Sequence, residues 1–362
     1  MTELVEELEI TSQATSKSSW ERNTRVNDLE ERTTEKYGED CYEEEYDGTS
    51  IGELFDKDWK EFGEELRSEK RKEWFARLKR LFDEIKSMFH GTTDWRDLSI
   101  ENWRRSDEDN YVDWNTLPDG FTKVLDAYRR RVRKSALRLN TRVTQIDYSG
   151  RKVHVTMRDS NGERTTEEFD HAIVTSSLGY LKKHHGSMFR PALPLRKRTA
   201  IQLMGYGPLE KLFLQWDRPF WRDSFRRLVH FALLPPLDAS TNRFDGIFQK
   251  FEKVYFSNTT LFFWVLRRYL GDATIPGPSK VVRTQWLSDP FHLGSYSYIT
   301  KRAAALGFVN RDLARPVLKS GKPLVMFAGE ATSAESFQSM HGAALSGIRE
   351  ARRLNRLYSR RN

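Results

Sequence analysis

The feature that most restricts the fold is a change of hydrophobic period near residue 136. Upstream, apolar residues recur at helical spacing: Phe75, Leu78, Phe82, Ile85 and Phe89, with Gly91 as a stop. A second such set is Phe121, Val124, Leu125, Tyr128 and Val132, after Pro118-Asp119-Gly120. Downstream the period falls to two. Leu137, Leu139 and Thr141 lead into Val143 and Ile146, and Ser149-Gly150 turns the chain. Val153, Val155 and Met157 then alternate strictly, and Asn161-Gly162 turns it again. His171-Ala172-Ile173-Val174-Thr175 is continuously apolar, the pattern of a buried strand. Residues 136–176 thus predict a strand–hairpin–strand unit, and helices mixed with such strands place the chain in the α/β (α+β) class.

Other segments extend this reading. Ser99 caps a short helix through Trp103, and a helix after Pro194 carries Ile201, Leu203 and Met204. Lys211-Leu212-Phe213-Leu214-Gln215-Trp216 reads as a strand, as does 281–284. A buried strand at 324–327 runs through Gly329-Glu330 into a loop, and a last helix spans about 342–354. No internal repeat is present.

Charge divides the chain. Residues 1–66 carry 21 acidic and 7 basic side chains, while the whole is +8, so the remainder is strongly basic. Residues 1–50 are polar and without periodicity, and read as a flexible arm. The dense run Arg129-Arg130-Arg131-Val132-Arg133-Lys134 reads as a solvated helix end rather than a nucleic-acid site, because no nucleic-acid motif surrounds it. Ten Trp, 13 Tyr and 22 Phe are too many for a mostly disordered chain. The single Cys41 excludes a disulfide scaffold and Cys-rich metal sites, and the histidines show no metal spacing. The longest apolar run, 261–266, is far short of the ~20 residues of a spanning helix. The acidic N-terminus is unlike a signal peptide, and Arg360-Arg361-Asn362 is not a peroxisomal tripeptide. These features predict a cytoplasmic protein, or a nuclear one, with no membrane partner.

Three segments carry possible chemistry. In the first, Phe327-Ala328-Gly329-Glu330 ends a strand, and Ser339-Met340-His341-Gly342-Ala343-Ala344 opens a helix with small residues. A helix start offers free N–H groups and a positive pole, and small residues allow close approach to the backbone. On the residues alone, an ordinary C-terminal helix packed on a sheet through small residues is the favoured reading of this segment. The second is the 286–298 loop, whose aromatic residues suit either a ligand wall or a packed surface. The third is Met204-Gly205-Tyr206-Gly207-Pro208-Leu209-Glu210-Lys211. Glu210 stands where a dinucleotide fingerprint needs its third glycine. Lys211 enters an apolar strand, where it either works chemically, snorkels or pairs with an acid.

Taken together, these segments resemble the flavin-containing amine oxidase family, nearest to animal polyamine oxidases. The matching stretches include Leu117-Pro118-Asp119-Gly120-Phe121, residues 139–146, residues 170–179, residues 205–221, the 286–298 loop and residues 329–351. Coverage runs from about 95 to 355, with a poor patch near 240–262. The resemblance implies an FAD-linked amine oxidase fold: a partial Rossmann-like FAD domain interleaved with a mixed-sheet substrate domain. It implies oxidation of spermine or N-acetylated polyamines by FAD, with molecular oxygen reoxidising the flavin and peroxide as product. It casts Lys211 as the catalytic residue that holds a water near the flavin. It places Val143, Trp286, Gly329, Glu330, His341, Gly342 and Ala343 at the cofactor, and Tyr296 and Ser339 at the substrate, with Ser339 too small to complete an aromatic clamp. It divides the chain into an acidic arm (1–55), a helical part of the substrate domain (56–135), FAD-domain strands (136–182), a substrate-domain sheet with helices (183–284) and a C-terminal FAD-domain half (285–362).

One departure weighs against flavin binding. The family's opening Gly-x-Gly-x-x-Gly turn, which seats the FAD diphosphate, occurs nowhere in this sequence. The expectation is therefore impaired FAD binding, in a truncated chain that is inactive as written. The alternatives are a flavin-free short isoform with a binding or regulatory role, or a chromatin-associated relative of lysine demethylases.

Overall fold

The computed structural model describes residues 48–64, 69–107, 121–218 and 273–359. They fall into two compact units, each assembled from two stretches of chain: 1–103 with 207–289, and 104–206 with 290–362.

The first unit contains α1 (Ile51–Glu64), α2 (Glu69–Phe89) and the start of α3 (Ile100–Asp107). Ile51, Leu54, Phe55 and Trp59 recur on one face of α1 and are buried. Phe55 stacks on Phe82 of α2 at 4.7 Å between centroids, and Trp59 stacks on Phe75 at 4.5 Å. Asp56 is paired by Arg96 and Lys79, and Asp83 accepts the indole N–H of Trp95. The arm expected over 1–55 therefore ends earlier. Its last five residues start α1, because Ile51, Leu54 and Phe55 have apolar partners to pack on. Residues 1–47 lie outside the described residues. Ser99 accepts from the Asn102 N–H at the start of α3, as its sequence position predicts.

The second unit opens with α4 (Thr122–Arg129), which buries none of its residues. Phe121, Leu125, Tyr128 and Val132 mark its periodicity, yet each is half or more exposed. The strand expected at Leu137 and Leu139 is absent. Both are exposed, and Asn140 at φ 54° breaks the extended path just before β1 (Arg142–Asp147).

From β1 the chain folds as a meander with β2 (Val153–Arg158) and β3 (Arg164–Phe169), antiparallel at both joins. Val153, Val155 and Met157 point into the core, as their alternation predicts. Thr156 is buried too, with its hydroxyl 3.0 Å from that of Thr166. At the second turn, Asp159 accepts from the Asn161 and Glu163 amides and Gly162 takes φ 86°. β4 (Ala172–Val174) then leaves the meander for another sheet.

Past α5 (Leu178–Met188), the short β5 (Phe189–Arg190) returns to pair with β1. Next come α6 (Leu195–Leu203) and β6 (Gly205–Tyr206). In the first unit β7 (Leu212–Gln215) and β8 (Lys280–Arg283) form a two-stranded ribbon. Back in the second unit, β9 (Ser297–Tyr298) pairs with β6, and α7 (Lys301–Ala305) and α8 (Asn310–Ala314) follow. β10 (Val317–Lys319) and β11 (Lys322–Phe327) complete the strands, and α9 (Met340–Ser359) closes the unit.

The sheet that positions the site has the order β10–β11–β4. β11 is central and its Leu324, Val325, Met326 and Phe327 are buried, whereas Ile173 on the edge strand β4 is 41% exposed. The core joins Val174, Leu178, Phe189, Ile201, Leu313 and Phe327. Residues 183–206, expected with the substrate-domain sheet, thus pack in this unit, through Met188, Phe189 and Ile201.

Candidate functional site

The β4 and β11 strands run parallel, so their C-terminal ends, Val174 and Phe327, lie side by side. In parallel sheets this is the end where ligands bind. A cavity of about 580 Å³ opens there. Its walls include Val143 from β1, residues 174–178 after β4, Tyr206 from β6, residues 327–332 after β11, and Ala343 from α9. Four of the residues expected at a cofactor therefore share one cavity: Val143, Gly329, Glu330 and Ala343. The β1 register shifts between Val143, paired with Met157, and Gln145, paired with Thr156, an irregularity that leaves Thr144 without a ladder partner.

Glu330 is held by hydrogen bonds. Its Oε2 accepts from the Ser297 hydroxyl at 2.8 Å and the Gln338 amide at 3.0 Å. Burial raises the pKa of its carboxyl, against those bonds, which lower it. Ser297 reaches Glu330 because β9 pairs with β6, setting Ser297 opposite Tyr206. Burial of Tyr206, followed by the nearby Glu330 charge, pushes its phenol up to about 12.

The start of α9 is built by Ser339. Its hydroxyl accepts from the Gly342 amide at 2.9 Å and donates to the Ser336 carbonyl at 2.7 Å. Gly342 is required sterically, since a Cβ there would lie 1.7 Å from that carbonyl oxygen. His341 is exposed, with Nδ1 3.4 Å from the Ser339 hydroxyl. His341, Gly342 and Ser339 thus belong to the helix start that presents Ala343 to the cavity, where the positive helix pole favours negative charge.

Tyr296 is partly buried and its phenol is pushed up to about 12 by burial, but it is not among the cavity-lining residues. Lys211 and Trp286 belong to the first unit. The Lys211 amide donates to the Thr284 hydroxyl at 2.8 Å, and Glu210 ties Thr284 to the Leu287 amide. Lys211 stands directly before β7, at the start of the strand the sequence predicts. Among the described residues Lys211 is exposed, and β7 and β8 form a two-stranded ribbon there. Trp286 is 42% exposed.

The cavity also contains residues that sequence reasoning passed over. Lys197 is only 4% exposed, donates to the carbonyls of Asp312 and Leu313, and has Nζ 3.9 Å from the Phe327 ring centre. Burial pulls its pKa down to about 7, opposed by Asp312 and Glu350. In sequence it sits in Arg196-Lys197-Arg198, which looks like a solvated helix face. Arg142 lines the cavity near Tyr180, and the start of α5 borders it at Ser177, whose hydroxyl caps the Tyr180 amide.

A family model for flavin containing amine oxidoreductases matches residues 7–247 and 259–355. The match starts well before residue 95, so the segment ahead of it also carries the likeness. Among curated proteins, the bovine peroxisomal N(1)-acetyl-spermine/spermidine oxidase is 31% identical over 291 residues, covering 67% of this chain and 55% of that protein. A possible lysine-specific histone demethylase 1 of Drosophila melanogaster is 29% identical over 311 residues, covering 75% of this chain and 34% of its own length. The chain thus spans about half the length of the peroxisomal oxidases it matches. A solved putrescine oxidase superposes with TM-score 0.62 at 16% identity, over 95% of this chain and 77% of that one, a likeness of fold.

Proposed function

The chain belongs to the flavin containing amine oxidoreductase family, and from that premise we propose that it serves FAD-dependent oxidation of polyamines, spermine or N-acetylated polyamines. The overall change is polyamine, oxygen and water to aldehyde, amine and hydrogen peroxide. The observation that carries this reading is the cavity at the ends of β4 and β11, shared by Val143, Gly329, Glu330 and Ala343.

The residues present fit part of a flavin dinucleotide. The cavity volume lies within the usual ~300–1,000 Å³ range of ligand sites, with apolar walls at Val143, Val174 and Leu178. Gly329 takes φ 127°, with nothing within 4 Å of where a Cβ would stand, so the turn leaves room for a close ligand. When bound, FAD would supply the hydride acceptor for the carbon beside the amine nitrogen. Val143 and Gly329 would hold it through backbone, Glu330 through hydrogen bonds, and the α9 start, with His341, Gly342 and Ala343, through its positive pole.

By the family resemblance, Lys211 would hold a water or a proton and Trp286 would lie at the flavin, with Tyr296 as the aromatic wall. Tyr296 would face the substrate's ammonium groups, worth roughly 0.5–2 kcal/mol when desolvated. Ser339 would leave that side open.

For the diphosphate the sequence has no Gly-x-Gly-x-x-Gly turn. We therefore propose that this chain alone holds FAD weakly, below one per chain. The test is FAD titration followed by a peroxide assay on spermine and N1-acetylspermine. Colourless protein with weak, saturable FAD binding supports the reading. One tightly held flavin per chain with full peroxide production refutes the weak-binding part. No saturable FAD binding at all favours the flavin-free alternative.

A further inference from the structure

The turn that carries Gly329 and Glu330 is held from behind by α9. Ser346, two turns into the helix, accepts from the Gly329 amide at 2.8 Å and donates to the Ala343 carbonyl at 2.6 Å. One turn further, the Arg349 guanidinium spans the turn. It donates to the Phe327 carbonyl at 2.7 Å on one side and to the Thr332 carbonyl at 2.8 Å on the other. Its Nη2 also lies 3.1 Å from the Thr332 hydroxyl, which itself donates to the Gly329 carbonyl. The fork is aimed by Glu350, wholly buried, which accepts from Arg349 Nε at 2.6 Å and from Arg353 at 2.7 Å. A planar guanidinium can reach two carbonyls and a carboxylate at once, whereas an ammonium on a flexible stem cannot hold that fork.

We propose that Arg349, with Ser346, is the positioning residue that fixes the 329–332 turn and so sets Glu330 in the cavity. Arg349 touches the cavity only through that turn. The inference deepens the flavin reading and rests on it for its consequence, but the clasp itself is testable in the protein without ligand. The turn is also tied by the 3.0 Å bonds from the Thr332 amide to the Gly329 carbonyl and from the Asn310 side-chain amide to the Ala331 carbonyl, and by the Ser297 hydroxyl and Gln338 amide on Glu330.

The test compares Arg349→Lys, which keeps the charge facing Glu350, with Arg349→Met and Ser346→Ala. Amide hydrogen exchange is followed at Gly329, Thr332 and Gln338, and the Glu330 carboxyl is titrated by carbon NMR against a Glu330→Gln reference. The Lys variant should remain folded, with exchange at the three amides at least tenfold faster and the β1–β2 amides unchanged. Its Glu330 titration should fall from the raised value towards that of an ordinary glutamate. Unchanged exchange and titration in a folded Lys variant overturn the proposal. Global unfolding of both Arg349 variants also overturns it, by assigning the residue to stability alone. FAD titration forms a separate arm. A wild-type protein that fails to bind FAD refutes the flavin reading and leaves the clasp standing. A loosened turn with unaltered FAD affinity refutes the consequence drawn for the site.

Discussion

Two glycines in α9 should respond in opposite directions to the same substitution. At Gly342 a Cβ would lie 1.7 Å from the Ser336 carbonyl oxygen and 2.6 Å from its carbon, where real Cβ atoms come no nearer than 3.0 Å. The obstacle is backbone, so no side chain can swing aside. The helix start and the Ser336 loop must separate by more than an ångström. That overpacking costs about 1–3 kcal/mol. It also stretches the bond from the Gly342 amide to the Ser339 hydroxyl, worth about 0.5–1.5 kcal/mol. Gly342→Ala should therefore destabilise by about 2–4 kcal/mol. At Gly347, five residues on, nothing stands within 4 Å of the added methyl. There the substitution removes backbone freedom from the unfolded chain and should stabilise by about 0.5–1 kcal/mol. Urea denaturation followed by far-UV circular dichroism gives both values on one protein. The midpoint of Gly342→Ala should fall by about 1 M or more, and that of Gly347→Ala should rise. Midpoints within error of one another would refute the steric account of the α9 start.

Other expectations concern named contacts. Gly205→Ala places a Cβ 2.2 Å from the Tyr298 ring, so it should lower the melting temperature, and adding Tyr298→Leu should recover most of the loss. Because Lys197 titrates near 7 when folded and near 10.5 when unfolded, the unfolded chain binds the extra proton between these values. Wild-type stability should thus rise from pH 7 to pH 10, and fall as pH drops through the window, while Lys197→Met should lack that slope in chemical denaturation. Neutral Lys197 still has two N–H groups for its two carbonyls, so the fold should persist across the range. In protein loaded with flavin, Lys211→Met should slow flavin reduction or reoxidation at least tenfold, about 1.4 kcal/mol in barrier. Stopped-flow rates equal to wild type in both half-reactions would remove Lys211 from the chemistry.

Much of the second unit is legible because its signals are local. The alternation at Val153, Val155 and Met157, and the turn at Asn161-Gly162, each specify their own geometry. The same holds for Gly329-Glu330 between a buried strand and a small-residue helix start. What stayed hidden depends on partners far along the chain. Arg196-Lys197-Arg198 has the composition of a solvated face, and only the α8 carbonyls and the Phe327 ring make Lys197 interior. Leu137 and Leu139 alternate like a strand, but among the described residues no strand pairs with them, and Asn140 turns the backbone. β4 follows the meander in sequence yet joins β11, a choice that three residues of apolar run do not encode. Arg349 and Ser346 lie in a polar-looking helix, and nothing short of the folded turn shows which carbonyls they serve.

The parallel join of β4 to β11 also fixes when this unit can exist. During synthesis β1, β2 and β3 can close as a meander as soon as they emerge, because every pairing among them is local. Ala172, Ile173 and Val174 must wait for Val325, Met326 and Phe327, with the whole 207–289 stretch of the other unit made in between. Pairings so distant in sequence are slow to form and leave apolar strands uncovered meanwhile. A nascent chain arrested before residue 322 would hold β4 with no partner from β11 and only one side of the cavity. Production of this protein should accordingly depend on chaperone supply and slow translation, and the cavity should be the last part to acquire protease resistance.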